Sequence, residues 1–147
     1  MPDPVSRYDA FLFLHLLAAF ALVGTMTAFW AVTLAGRPPQ PLLPKGAREA
    51  IGRPLGLTIA IASVTVLVFG VALAIDVDGY ELWDGWILAS FLLWGVGTLA
   101  GERGGRWFQR ASESGDRVHW QRGMLLQTTS TVAVLVLLAV MITKPGV

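Results

Sequence analysis

One imidazole lies inside an otherwise apolar stretch. His15 falls about two turns into the run 10–36, which contains no Asp, Glu, Lys or Arg. An ionisable side chain at bilayer depth is costly to desolvate, so it marks a functional site or a partnered structural one. Neutral imidazole offers one donor and one acceptor nitrogen. That suits axial ligation of haem iron, metal binding or a proton relay. At helical spacing Phe11, Ala18, Ala19 and Leu22 share its face. Phe11 would pack on a flat ligand and the alanines would leave room for one. The alternatives are an interhelical hydrogen bond, for instance to Ser90 or to a backbone carbonyl, and an interface with another subunit.

If a haem is held, the candidate second ligand is Met141, the thioether at a depth comparable to His15. Arg7 and Lys144 stand near enough to the outer surface to meet propionates, whereas Met26 and Met124 lie toward the inner side. Met141 alone also reads as a packing residue. With two histidines in the chain, a transmembrane pair of bis-His haems is excluded. His119 stands with Arg117, Trp120 and Arg122 and reads as an interfacial anchor. The acidic cluster of Asp76, Asp78, Gly79, Glu81 and Asp84 lacks the spacing of a calcium loop. No nucleotide loop, zinc-protease motif or nucleophile elbow occurs, so no catalytic residue is assigned. Cysteine is absent, which removes disulfides and thiolate metal sites.

These residues must be carried by membrane-spanning helices. The chain has 147 residues, 54% hydrophobic and 14% charged, against roughly 25% charged in an ordinary soluble domain. The charges leave four long gaps, 10–36, 54–75, 85–101 and 123–143. About 20 apolar residues cross a hydrocarbon core of about 30 Å. Three gaps reach that length, and Trp83, Trp86 and Trp107 extend the third through the interfaces. The expected fold is an all-α integral membrane up-down four-helix bundle, one domain over 1–147, with spans at about 9–35, 54–75, 84–101 and 123–143. A soluble fold would have to bury helices that are apolar all round, which a chain this short cannot do. The first run exceeds the apolar core of about 7–15 residues of a signal peptide, and Thr33-Leu34-Ala35 lacks its small-residue cleavage pattern, so the run is read as a retained span.

Charge sets the expected orientation. Arg37, Lys45, Arg48 and Arg53 occupy the first connection, and Arg103, Arg106, Arg110, Arg117 and Arg122 the third. The second carries acids and no base. Connections one and three are therefore expected in the cytoplasm of a bacterial inner membrane, with both termini outside. Arg37-Pro38-Pro39-Gln40-Pro41 ends the first helix, and Pro44 opens the second. Gly101 and Gly104-Gly105 are expected to end span three, Ser112 to Gly115 to turn, and Asp116 to cap span four.

The halves look alike: each is a span, a basic connection and a returning span. Aligning Asp9 with Asp84 sets His15 opposite Ser90 and suggests two parallel hairpins. Small residues at close-approach spacing are Gly24 and Ala28, then Gly52, Gly56 and Ala60, then Gly97 and Gly101. Span four offers the polar turn Gln127-Thr128-Thr129-Ser130-Thr131. Its hydroxyls are expected to bond back to their own helix, and Gln127 to face another.

Leu14-His15-Leu16-Leu17-Ala18-Ala19 with Gly24, Trp86-Ile87-Leu88-Ala89-Ser90 and Met141-Ile142-Thr143-Lys144-Pro145-Gly146 resemble a family of bacterial four-span membrane proteins. Its plan is similar to that of the copper-resistance D-like proteins and the HemJ-type membrane protoporphyrinogen oxidase. In that oxidase a first-span histidine and a third-span lysine are associated with haem and activity. His15 matches the former. Ser90 stands at the place of the latter, and no lysine lies in any span, so the resemblance extends to haem and not to the lysine. The resemblance implies a small membrane protein that binds haem b or another redox cofactor through His15, with Ser90 at the place of the lysine; the reading of the residues adds Phe11 and Met141 around that cofactor and metal binding by His15. The alternative is a non-catalytic accessory subunit of a larger membrane complex, or a homo-oligomer. The bilayer is the expected partner, and nucleic acid is not.

Overall fold

The computed structural model describes residues 6–76, 81 and 83–143. The expectations on Asp78, Gly79 and Lys144 lie outside these residues. Four helices follow one another: α1 (Arg7–Ala35), α2 (Lys45–Asp76), α3 (Gly85–Ser114) and α4 (Arg117–Thr143). Each is long and apolar enough to cross a membrane, and among the described residues there is no strand. The fold is the expected all-α four-helix bundle.

Local chemistry explains the helix ends. Ser6 and Asp9 form a capping box at the start of α1, the Ser6 Oγ accepting from the Asp9 amide at 3.1 Å and the Asp9 carboxylate from the Ser6 amide at 3.3 Å. Pro44 lies just before α2, and its carbonyl accepts the first helical bond, from the Arg48 amide at 3.1 Å. Pro54 is retained inside α2 although it has no amide for the carbonyl one turn back. The Asp116 carboxylate accepts from the Val118 amide at 2.8 Å, the expected cap of α4.

The third connection departs from the expectation. Gly101, Gly104 and Gly105 do not end a helix: α3 runs through them to Ser114. Only Gly115 and Asp116 turn the chain. Gly115 adopts a left-handed φ of 68° and its amide donates to the Ala111 carbonyl at 2.9 Å. The glycines are used for close approach instead. A methyl at Gly97 would sit 3.6 Å from the Ala133 Cβ, one at Gly101 would sit 3.1 Å from the Ser130 Oγ, and one at Gly104 would sit 3.3 Å from the Gly123 carbonyl. Ser130 closes this seam by donating to the Gly97 carbonyl at 2.8 Å. Gln127 is buried on α4, where Gly104 approaches its backbone. Thr129 and Thr131 bond back to their own helix, as expected.

Two hairpins result. α1 packs along α2 and α3 along α4, while α2 and α3 touch sparsely. Gly24, Gly52 and Gly56 have open space where a Cβ would stand, so they do not support the close contacts expected of them. Aromatic side chains join the hairpins. The Trp30 indole N–H donates to the Thr131 hydroxyl at 3.0 Å, and that of Trp94 to the Ser63 hydroxyl at 2.9 Å. Phe29 meets Phe108 with ring centroids 6.1 Å apart. The residues facing outward include Phe13, Phe20, Leu57, Leu92, Leu125 and Ile142. Such a surface suits lipid, where association relies on fit and hydrogen bonds between helices.

Candidate functional site

His15 sits in the seam between α1 and α2, half-buried. Its Nδ1 lies 3.0 Å from the Val66 carbonyl oxygen, which has only lone pairs to offer, so Nδ1 carries the proton and donates. The acceptor nitrogen is then Nε2. One turn along α2, Gly70 makes the approach of the ring feasible. A Cβ there would stand 3.2 Å from His15 Cε1 and 3.4 Å from Nδ1. The interhelical hydrogen bond to a backbone carbonyl, one of the alternatives left open by the sequence, is therefore present.

The residues expected around His15 take other partners. Phe11 turns to α2, where its ring meets Phe69 with centroids 5.9 Å apart and 41° between planes. Ser90 is buried and donates to the Trp86 carbonyl of its own helix at 2.8 Å. Ser90 and Met141 do come together, on the wall of an apolar cavity of about 50 Å³ between α2, α3 and α4. Val66 and Gly70 line this cavity as well, so it adjoins the backbone that holds His15. It has the capacity of a few water molecules at about 10–15 Å³ each, far below a porphyrin. A haem therefore does not fit between Ser90 and Met141.

The remaining candidates lie at the two ends of the bundle. At the acidic end the Arg7 guanidinium stands 4.0 Å from Asp76, and the Asp84 carboxylate accepts from the Glu81 amide at 3.1 Å. No three metal-binding side chains converge among the described residues. At the basic end His119 stacks against Trp107 with ring centroids 5.3 Å apart. Its Nδ1 lies 3.2 Å from the Ser114 hydroxyl and 3.6 Å from the Asp116 carboxylate. The guanidinium groups of Arg110 and Arg122 each lie 4.9 Å from the centroid of the Trp107 ring, a cation–π cluster over the α3–α4 turn. The roles of Gly70, Trp30 and Trp94 are not apparent in the sequence. An isolated glycine in an apolar helical run is the one signal that points to the first. A comparison with protein-family models, with curated proteins and with solved structures finds nothing that matches this chain.

Proposed function

We propose that this chain is a non-enzymatic, multi-pass protein of the bacterial cytoplasmic membrane that serves as an accessory or scaffold subunit, its basic end in the cytoplasm and both termini outside. The supporting observation is how His15 is used. Its Nδ1–H is engaged by Val66, its ring fills the space over Gly70, and the neighbouring cavity is small and apolar. Other polar groups along the helices are engaged the same way: Thr27, Thr33, Thr65 and Ser90 donate to their own helices, and Ser130 and Trp94 to a neighbour. Polar side chains in hydrocarbon are thus satisfied inside the bundle, those of His15, Ser130 and Trp94 as fasteners between helices. The Lys and Arg distribution supports the orientation.

Protein extracted in mild detergent is expected to be colourless before and after dithionite and to co-purify in fixed ratio with a larger complex or with copies of itself. A haem absorbance band that disappears in His15→Ala overturns this reading in favour of a second one. The observation that favours the second is the tautomer. A backbone carbonyl that accepts from Nδ1–H fixes Nε2 as the free lone pair, the arrangement that orients histidines bound to metals. In that case His15 would hold a haem or metal outside the small cavity, and Met141 would not be its partner.

A further inference from the structure

A second cavity, of about 510 Å³, opens at the basic end between the two hairpins. Its volume falls in the range of about 300–1,000 Å³ typical of small-molecule sites. The last turns of α1, the first turns of α2, the far end of α3 and Trp120 of α4 surround it. Among the described residues, three of those that line it each carry a side-chain atom that is shielded from solvent and has no hydrogen-bond partner: Arg48 Nε, Ser112 Oγ and Trp120 Nε1. Buried polar groups are nearly always paired, so three unpaired ones around a single hollow need an explanation. The guanidinium and indole nitrogens can only donate, and the serine hydroxyl can donate as well. What they lack is an acceptor.

Charge narrows the class. Arg48 and Arg53 both line the hollow, against one acid, Glu49, whose carboxylate lies 3.8 Å from Lys45 Nζ. Arg48 is held in place: its Nη1 donates to the Gly36 carbonyl at 3.4 Å, and its Cδ lies 2.8 Å from where a Gly36 Cβ would be. That leaves Nε for another partner. Three donors and a second guanidinium suit a phosphate, which carries more oxygens and more negative charge than a carboxylate and pairs well with arginine. Most of the rest of the wall is apolar or bare, Thr33 and Gln109 being the polar exceptions. Phe29, Val32 and Phe108 line it, and beyond their own helix Gly52, Gly56 and Gly105 meet none of the described residues within 4 Å of a Cβ position, so their missing side chains keep the space open.

We propose that this hollow binds a phosphate ester, its phosphate against Arg48, Ser112 and Trp120 and its organic part against the glycines and phenylalanines. Two sources share that chemistry, the head group of an anionic phospholipid and a soluble phosphate ester. The site is independent of the role of His15.

The test uses the full chain in nanodiscs of phosphatidylcholine with or without phosphatidylglycerol, followed by native mass spectrometry of retained lipid. In parallel, glycerol 3-phosphate is titrated into the phosphatidylcholine sample. Retention of one phosphatidylglycerol assigns the lipid source, whereas saturable glycerol 3-phosphate binding without retained lipid assigns the soluble one. Whichever ligand binds, Arg48→Gln is expected to weaken it at least tenfold and Trp120→Phe several-fold. Arg110→Gln, which removes an equal charge over Trp107, is expected to leave it unchanged. Gly52→Leu fills the hollow without removing a donor and is expected to abolish binding while the thermal unfolding profile is kept. It decides the matter if Arg48→Gln fails to fold. Binding of neither probe, equal loss in Arg110→Gln and Arg48→Gln, or a folded Gly52→Leu that binds as tightly as the parent overturns the proposal.

Discussion

His15 and Gly70 form a matched pair: the imidazole reaches the Val66 carbonyl because α2 has no side chain at the point of contact. Gly70→Ala is therefore expected to destabilise the protein by about 1–3 kcal/mol through overpacking, read by thermal or denaturant unfolding in detergent. His15→Ala should cost less in the Gly70→Ala background than in the parent, since the clash leaves with the ring; additive effects in that cycle would argue against the contact. The sequence makes His15 conspicuous but not its partner. A carbonyl has no letter of its own, so nothing in the run 54–75 names Val66 as the acceptor. Arg48, Ser112 and Trp120 are harder still, because residues this far apart in the chain meet only once both hairpins are folded.

At the scale of the helix, the apolar runs locate all four elements and understate their length. Composition reports where a helix meets hydrocarbon, whereas hydrogen bonding continues past that boundary. In α3 the charged and glycine-rich stretch after residue 101 reads as loop because the glycines that break helices are the same ones that let helices touch. Gly101 and Gly104 do the latter, against Ser130 and Gly123. Ser130→Ala should cost about 0.6–1.7 kcal/mol, the range of hydrogen bonds between membrane helices, whereas Gly104→Leu should separate α3 from α4 and lower the unfolding temperature far more. The turn carries its own test. Gly115→Ala places a Cβ at a φ of 68° and is expected to cost about 1 kcal/mol, visible as a lower midpoint without a change in helix content by circular dichroism.

Across the whole molecule, the packing within each hairpin exceeds the packing between them. Trp30 and Trp94 provide indole bonds across that boundary, so Trp30→Phe with Trp94→Phe is expected to weaken association of separately expressed 1–80 and 81–147 segments in a pull-down while each half stays helical. The native chain has no cysteine, which makes Glu113→Cys a clean probe of orientation. It should react with a membrane-impermeant maleimide in inverted vesicles and not in intact cells. Labelling from outside would reverse the assignment made from the arginines.

Gly115 and Asp116 have a further implication. A bend of two residues leaves no slack for a protease, which needs several residues of extended strand in its cleft. Residues 36–44 lie outside any helix and give a protease enough chain to draw into its cleft. Digestion from the arginine-bearing face should therefore nick the chain before Lys45 and spare the join between α3 and α4, releasing the first helix alone and leaving a resistant core of three.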